Sequence, residues 1–194
     1  MKRLTLISLF ITLFTATLSA QQADFKKAVA RYASAKPVTA AVTKTTHKNA
    51  VAKDVVSKGT LTMKAPSEVS IVIEGGKDQL LMKGSDFTMV VGGKRHTTSS
   101  KSNPQFASFQ TVFESILSGG AKDISRLGDL TITKQGSTLV LTITPKADSK
   151  KAARRMLFSS FVLTIDTNTS TLRSLRLNER SGYTEYKFSG HQFK

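Results

Sequence analysis

The chain has no cysteine and no tryptophan, only three histidines, and 13 acidic residues against 29 lysines and arginines. Each shortage removes a class of function. Without cysteine there is no disulfide, no thiolate for zinc and no site for acyl attachment at a lipobox, so stability must come from packing and hydrogen bonding. His47, His96 and His191 each stand alone, at no metal-ligand spacing. Neither a Gly-x-Ser-x-Gly elbow nor a Ser-x-x-Lys pair is present. The Gly-Gly pairs at 75–76, 92–93 and 119–120 lack the Gly-Lys-Ser/Thr of a phosphate loop and read as turns and a helix end. The expectation is a protein that is not an enzyme and that holds no metal and no cofactor.

The formal net charge is +16. Such an excess is a common footprint of nucleic-acid binding, but the basic residues here are spread along the chain without the interleaved aromatics on which bases stack. Anionic lipid head groups or an acidic protein fit the charge better than nucleic acid. The one dense run, "KADSKKAARR" from Lys146 to Arg155, reads equally as a solvated loop or as a docking patch.

What is present begins with an address. Lys2 and Arg3 precede an uncharged apolar stretch from Leu4 to Leu18, and Ser19-Ala20 supply small residues for cleavage. This is the pattern of a secretory signal peptide, too short for a comfortable membrane span. Residues 1–20 are therefore expected to be removed on export to the periplasm, leaving residues 21–194 as one soluble domain.

The exported part opens with Phe25, Ala28, Val29 and Tyr32 at i, i+3, i+4 and i+7, one stripe of a short helix that Pro37 stops. The pattern then changes to period 2. Strands are predicted at Val38–Lys44, Val55–Met63, Glu68–Glu74, Gln79–Lys83 and Phe87–Val91, with glycines at the reversals. A second run follows at Asp129–Lys134, Thr138–Thr144, Met156–Asp166, Thr171–Leu177 and Thr184–Ser189. Between the runs, Asn103-Pro104 opens a helix and Gly119-Gly120 closes it, with Phe106, Phe109, Phe113, Ile116 and Leu117 on one face. The fold class is thus α+β and mostly β, an antiparallel sheet with a helix lying on it.

The stretch "GTLTMKAPSEVSIVIE" from Gly59 to Glu74 shows why that helix matters. Leu61 and Met63 share a face, as do Val69, Ile71 and Ile73 after the break at Ala65-Pro66, and Met89 and Val91 extend the apolar lining. An antiparallel sheet with one dry face needs a cover for it.

The order of these segments resembles the outer-membrane lipoprotein carrier family (LolA-like), as a divergent member. "GTLTMKAP" resembles that family's Gly-x-Leu strand running into a basic-plus-proline turn. "LVLTITPKA", "FVLTID" and "SGYTEYKFS" resemble its later strands. The resemblance implies a curved open sheet, an incomplete β-barrel, with helices lidding its concave face. It further implies an apolar hollow that takes the acyl chains of a lipoprotein or another lipid, here lined by Leu61, Met63, Val69, Ile71, Ile73, Met89, Val91, Phe106, Phe109, Phe113, Ile116 and Leu117. In that family an Arg before the proline latches the lid; this chain has Ala65 there, preceded by Lys64 as the latch candidate. The implied partners are an inner-membrane exporter and an outer-membrane acceptor, with transient contact to a membrane surface and a monomeric carrier. A lipid-sensing regulatory module is the alternative on the same hollow.

Overall fold

The computed structural model describes residues 20–125, 127, 129–147 and 149–194; the signal-peptide reading of residues 1–20 falls almost wholly outside them. Helix α1 occupies residues 20–29 and tightens into a 3-10 turn at Ala30–Ser34. Five strands follow in a meander: β1 (Val38–Lys48), β2 (Val55–Lys64), β3 (Glu68–Ile73), β4 (Asp78–Lys83) and β5 (Asp86–Val91). An edge strand, β6 (Lys94–Ser99), leads to α2 (Pro104–Leu117). The second run is β7 (Asp129–Gln135), β8 (Thr138–Thr144), the short α3 (Lys150–Arg155), β9 (Ser160–Asp166), β10 (Thr171–Glu179) and β11 (Gly182–Phe193).

All eleven strands form one antiparallel sheet in the order β6-β5-β4-β3-β2-β1-β11-β10-β9-β8-β7. Two meanders are therefore joined where the first strand meets the last, through the register Val42↔Phe188 and Lys44↔Tyr186. The sheet stays open, with β6 and β7 as its edges. Lys94, Arg95 and His96 on β6 and Lys134 on β7 put charged and polar side chains on those edges, which discourages further strand addition.

Alternation fixes which face is dry. Val69, Ile71 and Ile73 of β3 and Leu139, Leu141 and Ile143 of β8 are buried, and their neighbours in sequence are not. The cross-strand partners Ala40↔Leu61, Leu61↔Ile71 and Ile71↔Leu80 continue one apolar row over four strands. Leu175↔Leu163 and Leu141↔Leu163 do the same on the other half.

Helices α1 and α2 lie on that face. Phe25, Ala28, Val29 and Tyr32 of α1 are all buried, as their spacing predicts. The Leu172 N–H donates to the Tyr32 hydroxyl at 2.8 Å, which ties α1 to β10. The Asn103 side chain caps α2 by accepting from the Gln105 N–H at 3.2 Å, with Pro104 in the first turn. Past its other end Gly119 and Gly120 have positive φ of 65° and 82°. A Cβ at either would come within 2.9 Å of Ala33 Cβ or 2.8 Å of Lys26 Cγ. The two helices can approach this closely only because those positions carry no side chain.

Most strand ends differ from the sequence reading by a residue or two, and four differ more; of these, β11, expected at Thr184–Ser189, runs from Gly182 to Phe193 along β1. β6 lies in a stretch read as loop, because "KRHTTS" has no apolar alternation; its pairing with β5 through Met89↔His96 makes it a strand. β1 extends past Lys44 to Lys48 along β11. The strand predicted from Met156 begins only at Ser160.

Candidate functional site

The concave face is a continuous apolar surface, and the helices close over it. Of the twelve lining candidates, Leu61, Met63, Val69, Ile71, Ile73, Phe106, Phe109, Phe113, Ile116 and Leu117 all belong to a single buried cluster. Met89 is half-buried against that cluster. Val91 is not part of the lining: it is 54% exposed, since β5 ends there and the chain turns away through Gly92-Gly93.

At the centre, rings from the lid meet rings from the sheet. Phe109 stacks on Phe113 at 4.5 Å between centroids, and reaches Phe161 of β9 at 5.7 Å and Phe87 of β5 at 5.9 Å. Phe106 lies 4.8 Å from Phe87 and 6.2 Å from Phe158. Phenylalanines thus occupy the space where the resemblance places acyl chains. Phe87, Phe158 and Phe161 escaped the sequence reading as lining residues. Phe87 shares a face with Met89 and could have been found by alternation; Phe158 precedes its strand and gives no periodic signal.

The lid helix touches the sheet through rings and aliphatic chains, and the hydrogen bonds that hold it lie near its two ends and, at Gln110, on its half-buried flank. Gln105, only 1% exposed, donates through Nε2 to the Phe158 carbonyl at 2.6 Å and accepts the Leu157 N–H at 3.3 Å. Gln110 accepts from the Ser100 hydroxyl at 2.5 Å and donates to Glu114 at 2.6 Å. Glu114 also pairs with Lys122, and the Ser115 hydroxyl donates to the Lys122 carbonyl at 2.6 Å.

The expected latch at Lys64 is not made. Side chains alternate along β2, so Lys64 leaves from the opposite face to Met63 and lines an outer groove with Thr62, Ser70 and Leu81. The β2–β3 turn instead presents Pro66 and Ser67 to the lid, across an open depression shared with Glu114, Ser118 and Lys122. Gln105 and Gln110 hold the lid in place of a basic latch; neither has a motif that marks it in the sequence.

One end of the concave face is polar. Lys44 and Asp78 pair at 2.5 Å, and Asp78 also accepts the Gly92 N–H at 2.8 Å. Burial alone would raise the Asp78 pKa, but these bonds from Lys44 and Gly92 hold it below the usual carboxylate range. Tyr186, the cross-strand partner of Lys44, is 7% exposed; burial, with Asp78 and Glu179 nearby, pushes its phenol pKa up. Farther along the same end Lys48 pairs with Glu179, which also accepts from the Thr184 hydroxyl at 2.8 Å. Among the described residues no group of three His, Asp or Glu side chains is placed to hold a metal ion. No described helix is long and apolar enough to cross a membrane.

Solved structures with a similar arrangement include a LolA superfamily protein from Nitrosomonas europaea, at 10% identity over 89% of this chain and 93% of that one, TM-score 0.40. The lipoprotein LppX from Mycobacterium tuberculosis matches at 15% identity over 88% and 94%, TM-score 0.38. A DUF1329 family protein from Desulfovibrio piger matches at 11% identity over 89% and 92%, TM-score 0.43. No protein-family model and no curated protein matches the chain. At these identities and TM-scores the likenesses assign no function to this chain.

Proposed function

We propose that this protein is a LolA-like carrier that shields the acyl chains of a lipoprotein or another lipid between its sheet and α2 while they cross the periplasm toward the outer membrane. The observation that supports it is the chemistry of the lid contact. Phe106, Phe109, Phe113, Ile116 and Leu117 meet the sheet through carbon alone, and the polar ties lie near the helix ends and, at Gln110, on its flank. Lifting the centre of the lid therefore breaks only the half-buried Ser100–Gln110 hydrogen bond, whose groups water can then satisfy, and an acyl chain can replace ring contacts with methylene contacts. Each methylene buried contributes about 0.8 kcal/mol, so a chain of ordinary length can be held without a covalent bond. The phenylalanine-filled state is then the empty carrier, its hollow collapsed on itself. An exporter in the inner membrane and an acceptor in the outer membrane would load and unload a monomer.

Native mass spectrometry of the processed protein, purified gently from the cells that export it, tests this reading. A one-to-one lipid or lipoprotein complex is expected, and its mass names the cargo class. An apo mass, together with no uptake of a fluorescent acyl probe by the same preparation, would show that the concave face is core only.

A further inference from the structure

All five large hydrophobic side chains left exposed among the described residues, Val51, Val55, Val56, Val91 and Leu157, lie along one rim of the sheet. Contacts trace that rim from strand to strand. Leu157 enters β9 beside Ser159, whose N–H donates to the Asn178 carbonyl at 2.7 Å. The next residue, Glu179, pairs with Lys48 at the end of β1. The Val51 N–H donates to the Lys48 carbonyl at 2.9 Å, and Val55 opposes Thr46. Lys44 then reaches Asp78, which holds Gly92 next to Val91.

The same rim is basic. Lys53 in the β1–β2 connection, Lys94 at the start of β6, and Lys150 and Arg154 on α3 are exposed and form no salt bridge among the described residues. The acids there are largely engaged: Asp78 and Glu179 by lysines, Asp54 by His47 at 2.8 Å. Isolated exposed aliphatics need no explanation, but five on one rim, interleaved with cations, form a pattern. Apolar side chains beside unpaired lysines and arginines suit the interface of a bilayer with an anionic surface, where the chains enter the head-group layer and the cations meet phosphate. The aliphatic side chains are strung out along the rim over several strands rather than gathered into one compact patch for a protein partner to bury, which favours the broad surface of a bilayer.

We propose that this rim, made by the β1–β2 connection, the β5–β6 turn, α3 and the approach to β9, docks on an anionic lipid bilayer. The proposal concerns the outside of the molecule and does not depend on what the hollow holds. Vesicle flotation of the processed protein tests it, with phosphatidylcholine alone and with phosphatidylcholine mixed with phosphatidylglycerol. The protein is expected to float with the anionic vesicles only, and less as salt is added. A Lys53→Glu/Lys94→Glu pair and a Val55→Asp/Leu157→Asp pair should each lower partitioning by at least about tenfold. Both pairs should melt like wild type, because all four side chains are exposed. Wild-type protein that stays with the soluble fraction, or variants that float undiminished, would overturn the proposal, even if an acidic protein were found to bind the rim. Acyl-probe uptake by the same variants should be unchanged. Flotation without any uptake would reject the carrier reading and leave this one standing.

Discussion

Replacing Phe109 by alanine separates a lipid-accepting hollow from a permanent core. The ring is 1% exposed and is the only one on the lid in contact with Phe87, Phe113 and Phe161 together. Truncating a buried Phe to Ala removes its transfer energy and leaves a void, at about 3–5 kcal/mol. For a domain of this size about 1 kcal/mol moves the melting temperature by about 2–4 °C, so a fall of about 6–20 °C is expected. The decisive measurement is the same melt repeated with a single-chain acyl probe. A ligand at a hundred times its Kd stabilises the folded state by about 2.7 kcal/mol, and the void left by Phe109 lies where the chain should sit. The probe should therefore raise the melting temperature of both proteins, and by more in the variant, whose hollow no longer has to expel that ring. A drop below about 2 °C would show that Phe109 does not anchor the lid. A normal drop with no rescue in either protein would refute the exchange of ring contacts for acyl contacts.

Gln105→Leu strands the Phe158 carbonyl and the Leu157 N–H, each at about 1–3 kcal/mol if it stays buried, and should speed amide exchange in the first turns of α2 more than in the sheet. Uniform acceleration would show that the lid does not open separately. Gly59→Ala would bring a Cβ to 2.1 Å from the Val72 carbonyl oxygen and 2.6 Å from Ile73 Cδ1, so a loss of about 2–5 kcal/mol in denaturant unfolding is expected; an unchanged midpoint would mean that β2 and β3 pair more loosely. His191 gives a pH dependence. Its Nε2 is buried without a partner among the described residues; burial, the largest cause, outweighs a hydrogen bond with the Leu172 backbone and, with the charge of Arg31, lowers its pKa below the ordinary value. The unfolded chain thus takes up this proton at higher pH than the folded one, so stability is intact above about pH 6.5 and is lost as pH falls below it. His191→Gln should flatten the melting temperature between about pH 7 and 5; a slope equal to wild type would assign the loss to other groups.

The sequence showed faces better than it showed contacts. Alternation in "SEVSIVI" placed the buried Val69, Ile71 and Ile73 of β3, the strand expected at Thr138–Thr144 is β8, and the Phe stripe with its Asn-Pro opening and Gly-Gly end located α2. Such patterns survive where an element packs on one side and meets water on the other. β6 was missed because an edge strand whose side chains face solvent has no pattern to read. Lys64 was misassigned for a different reason. A latch depends on which face a side chain leaves from, and Lys64 is one residue out of phase with the lining it follows. Gln105 was invisible because its role is set by Phe158, more than fifty positions away in the chain.

The same limit governs the central question of the hollow. Leu61, Ile71, Phe109 and Phe113 would show this periodicity whether they pack on one another or on a lipid, since either arrangement removes them from water. The two differ in what happens when the lid lifts. A buried polar contact across the middle of the lid would oppose that lifting, because it would leave both of its partners unpaired. Here the apolar face of α2 has none: Gln105 bonds near one end, Glu114 and Ser115 meet Lys122 near the other, and Gln110 reaches Ser100 from the half-buried flank. A lid built in this way is fixed in position by its ends and one flank and is indifferent to which carbon atoms fill the space beneath it. That indifference is the property a carrier of acyl chains needs, and it is why the rescue of Phe109→Ala by an acyl chain is the most discriminating result.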